Sequence, residues 1–348
     1  SLINAAGEGG LLGMVFDPDF ASNGHFYLSY TVGVGNGDSL VARYSVVPGS
    51  VDLADPTSAT VLFGPIPQTT DRHKGGDMEF GPDGMLYLAF GDGGTSISAQ
   101  DLGSALGKVH RIDPDLPFPH APTSNPFFGV AGALPTIWAR GLRNPWRLDV
   151  DAITGNVYVG DVGESTWEEI TRLDAGSNGG WPCMEGNACS TGTSCACQAP
   201  GLTLPITVLA HAAPDSACAI TGGVVYRGSA IPSLVGQYLF TDFCSGSFYR
   251  IADPSGTAPT RVDFSSDVQS GGQALRFVVD FACDAEGEIY FVQHYGGGIW
   301  KLVARSGFDS FCVAEPNSTG AAAALVASGS PSIAAANLTL TVAHLPED

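Results

Sequence analysis

The sequence predicts an all-β protein, and a β-propeller is the simplest architecture for it. The 348 residues include 46 Gly and 23 Pro, a composition that favours many short strands and turns over long helices. A hairpin motif also recurs five times along the chain. Its copies are spaced roughly 50 to 80 residues apart, near or above the length of a four-stranded propeller blade.

The recurring motif is Gly-x-x-Tyr followed by alternating apolar residues. An apolar strand that ends in an acidic turn precedes four of the five copies, so each unit is predicted to be strand, turn, strand. A β-sandwich is the alternative, but it does not explain why one type of hairpin is repeated. The copies lie at residues 24–27, 84–87, 155–158, 236–238 (a shortened copy) and 287–290.

Two stretches depart from this repeat. Residues 178–200 form a Gly- and Cys-rich insertion, which has little to bury and is expected to need covalent ties. After Cys312 the composition changes to Ala, Ser, Gly and Thr, and residues 337–342 alternate as a strand would. We predict a propeller over residues 1–312, then a linker and the start of a small C-terminal β module over residues 313–348. An extra strand docked on the propeller is the alternative for this tail.

The chain is strongly acidic. Its 35 Asp and Glu outnumber 15 Lys and Arg, which gives a formal net charge of −20. Such a charge repels phosphate backbones and anionic membranes, so we expect no nucleic-acid partner. No apolar run is long enough to span a bilayer, and no membrane span is predicted.

The cysteines indicate an oxidising compartment. There are eight, clustered in the second half of the chain, and no pair has Cys-x-x-Cys spacing. This pattern argues against a zinc or thioredoxin-like site and favours disulfides, and hence a secreted or periplasmic protein. The spacing does not choose among the pairings.

Residues 72–94 bring a histidine and an aspartate to one place. His73 precedes a strand, a Gly-Pro-Asp-Gly turn follows, and a second strand ends at Asp92. If the two strands form a hairpin, the two side chains lie side by side. Such a pair can be a general base with its orienting carboxylate, and a purely structural hydrogen bond is the alternative.

Two further loops carry candidate binding residues. Pro145 fixes the backbone just before a strand, so Arg143 and Asn144 project from the loop at its entrance. An arginine there can hold an anion or polarise a carbonyl, and capping a turn is the alternative role. The Gly-containing run at residues 160–169 can turn its carbonyl oxygens inward, and such hard donors suit Ca²⁺.

The order of these motifs resembles that of the glucose/sorbosone dehydrogenase family, over roughly residues 5–305. Members of that family are six-bladed propellers with four-stranded antiparallel blades that bind pyrroloquinoline quinone (PQQ) and Ca²⁺. The family also includes the hedgehog-interacting proteins as non-enzymatic relatives. The resemblance rests on residues 7–13 (Gly-Glu-Gly-Gly-Leu-Leu-Gly), 73–76 (His-Lys-Gly-Gly), 81–84 (Gly-Pro-Asp-Gly), 91–94 (Gly-Asp-Gly-Gly), 143–145 (Arg-Asn-Pro), 161–164 (Asp-Val-Gly-Glu) and 178–182 (Asn-Gly-Gly-Trp-Pro).

The resemblance implies a role for each matched residue. His73 matches the base that removes the sugar hydroxyl proton while hydride passes to the quinone, and Asp92 matches the carboxylate that orients this base. The other implied residues are Arg143 and Asn144 as quinone contacts, Gly163 and Glu164 as Ca²⁺ ligands through their carbonyls, Glu8 where sugar dehydrogenases carry a glutamine, and Arg276 near the cofactor carboxylates.

The chain departs from the family pattern at one cation. The cofactor-binding lysine of the enzymes aligns with Cys244, and losing that cation is expected to weaken PQQ binding by roughly a few kcal/mol. Lys74, next to His73, is a candidate substitute. Cys218 and Cys244 both flank predicted strands, so we expect a disulfide between them in preference to a reactive thiol. The chain also begins late for the family, and we expect one blade to be incomplete or to be closed by residues near the C terminus.

Three functions are compatible with this sequence. The one we favour is PQQ- and Ca²⁺-dependent oxidation of a sugar or related alcohol, with an external electron acceptor. A non-catalytic extracellular propeller that binds a protein or a glycan is the second. The third is a Ca²⁺-dependent lactonase with Asp92, Asp161 and Asp242 as candidate ligands, because such sites need converging carboxylates.

Overall fold

The computed structural model describes residues 3–50, 52–190, 196–269, 274–304, 312–316, 323–329 and 338–344. Within these residues the chain forms a β-propeller of five blades, four with four strands and one with five. The first strands of successive blades lie next to one another in turn. None of the helices in the described residues is long and apolar enough to cross a membrane.

The strands of the first three blades follow the chain almost in order. Blade 1 contains β1 (Leu11–Phe16), β2 (His25–Val32), β3 (Asp38–Val46) and β4 (Ala54–Ile66), with the helix α1 (Phe20–Asn23) between β1 and β2. Blade 2 contains β5 (Gly75–Phe80), β6 (Leu86–Phe90), β7 (Lys108–Ile112) and β8 (Ile137–Arg140), with a 3₁₀ turn at Ser96–Ala99. Blade 3 contains β9 (Pro145–Val150), β10 (Val157–Asp161), β11 (Trp167–Leu173) and β14 (Thr207–Ala210), and the short hairpin β12 (Met184–Glu185) and β13 (Ala188–Cys189) interrupts it.

The remaining strands form blades 4 and 5 and one separate hairpin. Blade 4 contains β15 (Ile220–Val225), β16 (Tyr238–Asp242), β17 (Phe248–Ile251) and β18 (Arg261–Asp263), with a 3₁₀ turn at Pro232–Leu234. Blade 5 contains β20 (Val278–Cys283), β21 (Ile289–Gln293), β22 (Ile299–Ala304), β23 (Cys312–Pro316) and β19 (Val268–Gln269), which runs parallel to β23. The strands β24 (Ala323–Gly329) and β25 (Leu338–His344) pair only with each other.

The expectation of six blades is wrong for the described residues. Each copy of the Gly-x-x-Tyr motif begins or precedes the second strand of a blade, in the hairpins β1–β2, β5–β6, β9–β10, β15–β16 and β20–β21. One blade uses one such hairpin, and the sequence contains five copies of it. The number six came from the family resemblance and not from the repeat.

The predicted boundary after Cys312 falls inside a strand. β23 pairs with β22 in antiparallel register, so residues 312–316 extend the sheet of blade 5. The hairpin β24–β25 lies in the predicted C-terminal module. The division into two domains remains a prediction.

The hydrophobic core is divided among the interfaces between neighbouring blades. One cluster packs Tyr27 of blade 1 against Leu86 of blade 2, and the next packs Tyr87 of blade 2 against Leu148 of blade 3. Similar clusters join blade 3 to blade 4 and blade 4 to blade 5. The motif tyrosines at positions 27, 87, 158 and 238 are all buried in these interfaces, which explains why the sequence repeats them.

Each blade also carries one polar side chain at the end of its second strand, which hydrogen-bonds to the loop before its first strand. We call these side chains the clamp residues. Four of them hydrogen-bond to backbone groups of that loop that would otherwise be buried without partners, whereas Asp92 contacts the ring of His73. Thr31 contacts Gly10, and Asp92 contacts His73. Asp161 contacts Arg143 and Asn144, and Asp242 contacts Cys218 and Ala219. Gln293 contacts Ala274 and Arg276.

Two carboxylates on β5 link blade 2 to β9 of blade 3. Asp77 accepts a hydrogen bond from the backbone N–H of Leu148 at 2.8 Å, and Glu79 accepts one from Val150 at 2.9 Å. Burial raises the pKa of Asp77 to about 7, although Arg147 acts in the opposite direction. These contacts place ionisable groups along the inner wall of blade 2.

The disulfide expected between Cys218 and Cys244 is confirmed. It joins the loop before β15 to the loop after β16, with the two Cα atoms 5.8 Å apart. Cys189 pairs with Cys197 inside the insertion, and Cys183 is also disulfide-bonded. The Cys-rich insertion therefore has the covalent ties that its composition predicted.

Candidate active site

His73 and Asp92 lie side by side, as the hairpin pattern predicted. His73 Nδ1 is 2.7 Å from Asp92 Oδ1, and Asp92 is buried with 1% of its side chain exposed. Asp92 also accepts hydrogen bonds from the backbone N–H of Gly94 at 2.7 Å and from Trp181 Nε1 at 2.8 Å. The ionised carboxylate can only accept, so it selects the tautomer of the neutral imidazole in which Nδ1 carries the proton and Nε2 has the lone pair.

The backbone of His73 is held in an unusual conformation. Its φ is +53°, in the left-handed region that few residues other than glycine adopt. The backbone N–H of His73 donates to Glu8 Oε2 at 2.8 Å, and Asn144 Nδ2 donates to the same oxygen at 3.2 Å. Glu8 therefore joins the loop before blade 1 to the entrances of blades 2 and 3.

Arg143 and Asn144 form a turn that Asp161 holds in place. The backbone N–H groups of the two residues donate to the Asp161 carboxylate at 2.9 and 2.6 Å. Burial raises the pKa of Asp161 to about 7, although these hydrogen bonds and the Arg143 charge lower it. Arg143 Nη1 donates to the Val162 carbonyl at 3.0 Å, and its guanidinium lies 5.5 Å from the ring centre of Trp181.

A cavity of about 300 Å³ adjoins this network. Glu8, Asn144 and Thr221 supply its polar lining, and the backbone N–H of His73 donates to Glu8. Its volume is at the lower end of the range for small-molecule sites. The other lining residues come from blades 3, 4 and 5 and are largely apolar: Trp146, Val162, Ala219, Ile220, Phe243 and Val279.

The loop at Gly163 and Glu164 turns its N–H groups toward carboxylates. Gly163 N donates to Glu168 Oε2 at 3.1 Å, and Glu164 N donates to Glu185 Oε1 at 2.9 Å. In the part of the chain that the structure describes, no hydrogen bond is made to the carbonyl oxygen of either residue. These two hard oxygen atoms fit the coordination chemistry of Ca²⁺.

The two remaining candidate cations lie in different environments. Lys74 is fully buried, and its ammonium donates to the carbonyls of Asn36, Gly37 and Thr70 at 2.8 to 3.1 Å. The structure therefore does not bring Lys74 together with the cavity as a substitute for the missing lysine. Arg276 is exposed, and its Nε donates to the backbone carbonyl of Cys244 at 2.6 Å.

Two residues of this network were not singled out from the sequence. From the sequence, Trp181 had no role beyond its place in the motif at residues 178–182, although it contacts both Asp92 and Arg143. Glu185 is a lone glutamate in the Cys-rich insertion and carried no signal at all. Both residues belong to the Cys-rich insertion, and the local sequence pattern does not predict where this insertion packs on the propeller.

The carboxylates considered for a lactonase do not converge. Asp92, Asp161 and Asp242 each clamp a loop of their own blade. Among the described residues, the one group of three potential metal-ligating atoms combines Asp242 with Cys218 and Cys244. Because these two cysteines form a disulfide, the group offers no thiolate ligands.

Comparisons with known proteins found relatives of this chain in both sequence and fold. A sequence model described as glucose / sorbosone dehydrogenase matches residues 2–301. The chain is 30% identical over 390 residues to the HIPL1 protein of Arabidopsis thaliana, a match that covers 90% of this chain and 55% of that protein. It is 34% identical over 181 residues to the aldose sugar dehydrogenase YliI of Escherichia coli, which covers 51% of this chain and 47% of that protein.

A third relative is the hedgehog-interacting protein of Mus musculus, 28% identical over 86% of this chain and 44% of that protein. The chain thus spans about half the length of the curated relatives it matches. Its fold is similar to that of a solved PQQ-bound aldose sugar dehydrogenase from Streptomyces coelicolor, with a TM-score of 0.62 and 24% identity over 89% of this chain and 81% of that chain. At this identity the structural likeness concerns the fold alone.

Proposed function

Because the chain belongs to the glucose/sorbosone dehydrogenase family, we propose that it oxidises a sugar or related alcohol with PQQ and Ca²⁺. The sugar is the small-molecule substrate, and an external electron acceptor reoxidises the cofactor. His73 is the general base of this reaction. The observation that carries the proposal is the Asp92-oriented ring of His73, whose Nε2 presents a lone pair.

In this reaction His73 Nε2 accepts the proton of the substrate hydroxyl. The ring then becomes positively charged, and the buried Asp92 carboxylate 2.7 Å from Nδ1 stabilises that charge. Trp181 and the backbone of Gly94 keep Asp92 in orientation, since each donates to one of its oxygens. PQQ, when bound, supplies the two-electron acceptor that the oxidation needs.

The residues around the cavity fit an anionic planar cofactor. Arg143 Nε is buried without a hydrogen-bond partner in the described residues, so the guanidinium can still donate to an anion. Trp146 and Phe243 supply aromatic surface to the cavity wall. Asn144 and Glu8 would contact the cofactor from the polar side, and the carbonyls of Gly163 and Glu164 would hold Ca²⁺.

Arg276 would supply the cation that the family lysine supplies elsewhere. Its guanidinium contacts the carbonyl of Cys244 at 2.6 Å, next to the cavity-lining Phe243. An arginine can bind a carboxylate through two parallel hydrogen bonds, which a lysine cannot do. We therefore infer that PQQ binding tolerates Cys244 because Arg276 provides the charge.

Reconstitution tests this proposal directly. The full chain is loaded with PQQ and Ca²⁺, and dye reduction is followed with a panel of aldoses. We expect turnover that falls by about 10²–10⁴-fold in His73→Ala, the usual contribution of a general base. His25→Ala, which changes a histidine of β2 outside the site, is the matched control and should retain turnover. A chain that binds no PQQ at micromolar concentrations would rule the proposal out.

A second candidate is a non-catalytic extracellular propeller that binds a protein or a glycan. The disulfide at the lysine position favours it, as does the similarity to the hedgehog-interacting protein. In that case His73→Ala leaves partner binding intact and no turnover is measurable in the wild type. The disulfides also support a secreted or periplasmic location for either function, because they form in oxidising compartments.

A further inference from the structure

The Cys-rich insertion places one carboxylate beneath the proposed Ca²⁺ loop. Glu185, at the end of β12, is buried with 6% of its surface exposed. Its Oε1 accepts backbone N–H groups from Glu164 at 2.9 Å, Ser165 at 2.7 Å, Thr166 at 2.8 Å and Trp167 at 3.3 Å. A single oxygen thus gathers the amides of four consecutive residues.

This arrangement determines the direction of the carbonyls in the loop. In a trans peptide unit, the N–H and the C=O point in opposite directions. The N–H of Glu164 belongs to the same unit as the carbonyl of Gly163, and the N–H of Ser165 belongs to the same unit as the carbonyl of Glu164. Because both N–H groups point at Glu185, both carbonyl oxygens point to the opposite side of the loop.

We propose that Glu185 is a positioning residue for the Ca²⁺ site: its carboxylate gathers the amides of residues 164–167 and so presents the carbonyls of Gly163 and Glu164 to the cation. This inference rests on the proposed function of the same site. It also assigns a task to Glu185, which the propeller repeat does not require.

The surroundings hold Glu185 and the loop in fixed positions. The backbone N–H of Gly186 donates to Glu169 Oε1 at 2.5 Å, which attaches the insertion to β11. The Cys189–Cys197 disulfide ties β13, the strand that pairs with β12, to a later part of the insertion. On the other side, a Cβ on Gly163 would overlap the carbonyl oxygen of Trp167, so the tight loop requires glycine there.

The test compares two variants with a control that removes the same charge. Ca²⁺ is titrated calorimetrically into the metal-depleted full chain, with and without PQQ. We expect Ca²⁺ to bind about tenfold more weakly to Glu185→Gln and up to about a hundredfold more weakly to Glu185→Ala, as for other residues that orient metal ligands. Glu286→Gln is the control, because it removes the same charge from an exposed side chain in the turn between β20 and β21, outside the proposed site.

The outcomes separate this inference from the proposed function. If the wild type binds Ca²⁺ and the Glu185 variants bind it equally well, the positioning role is excluded while the proposed function stands. Equal weakening by Glu286→Gln would mean that only net charge matters, which also overturns the inference. A wild type that binds no Ca²⁺ contradicts both. Circular dichroism monitors folding, and Glu185→Gln decides the matter if Glu185→Ala does not fold.

Discussion

Blades 2 and 4 use the same clamp position in different ways. In blade 4, Asp242 accepts four backbone N–H groups, two from Cys218 and Ala219 and two from the turn after β16. In blade 2, Asp92 accepts the ring N–H of His73 in place of a backbone amide of the preceding loop. The clamp contact in blade 4 thus only holds the preceding loop in place, whereas the same contact in blade 2 orients the ring nitrogen of His73. The chemistry of the site is built on a structural position that the repeat already provides.

The largest expected effect separates these two aspartates. Asp92→Asn should lower kcat/KM by about 10²–10⁴-fold, because an amide neither selects the His73 tautomer nor stabilises the charged ring. Asp242→Asn should lower thermal stability and leave kcat/KM of the folded, PQQ-saturated protein within about threefold of the wild type. Steady-state kinetics and thermal unfolding of both variants measure this. Equal losses of turnover would mean that Asp92 has the same structural role as Asp242.

The second comparison concerns the covalent tie that blade 4 has and blade 2 lacks. Replacing Cys218 and Cys244 together by alanine should lower the free energy of unfolding by about 2–4 kcal/mol, since the disulfide closes a loop in the unfolded chain. Guanidinium unfolding gives the value. If the double variant is as stable as the wild type, the clamp residue Asp242 alone holds the two loops.

The smallest expected effect is a pH dependence from the inner wall of blade 2. Asp77 on β5 has its pKa raised to about 7 by burial, whereas β15 of blade 4 carries no ionisable side chain. The folded protein therefore binds this proton more tightly than the unfolded chain does. The stability that the proton contributes is fully present below the unfolded pKa near 4 and is lost as pH rises through about 7.

Asp77→Asn should remove that part of the pH dependence. Between pH 4 and 7 we expect the wild type to lose at least about 1 kcal/mol of stability relative to the variant, because the unfolded chain gives up the Asp77 proton near pH 4 whereas the folded protein holds it to about pH 7. Melting temperatures measured across this range test the slope. Thr221→Val on β15 is the control, and it should shift stability equally at every pH. Parallel curves for Asp77→Asn and the wild type would contradict the prediction.

Local patterns predicted much of this molecule because its contacts within blades are local. The five hairpins follow from alternation and turn residues, and the proximity of His73 and Asp92 follows from the reversal of one hairpin. The Cys218–Cys244 disulfide could be expected because both residues flank strands that pair as neighbours. The number of blades could have been taken from the repeat, whereas the family resemblance led to six.

Contacts between distant segments could not be predicted in the same way. Trp181 reaches Asp92 across 89 residues of chain, and nothing in the intervening sequence specifies that approach. The burial of Lys74 depends on three carbonyls, two of which lie in a loop of blade 1. A charged residue beside a candidate base looks available in the sequence, and only the fold shows that its ammonium is already used.

The division of the core into interfaces between blades has a consequence for how the protein responds to ligands. Blade 1 packs against blade 2 through one hydrophobic cluster, and Glu8, just before β1, hydrogen-bonds to the entrances of blades 2 and 3. Any molecule that fills the cavity beside Glu8 and Asn144 therefore binds across an interface between blades. A ligand bound in this cavity stabilises the packing of these blades by mass action, so amide hydrogen exchange in β1 is expected to slow in the bound protein.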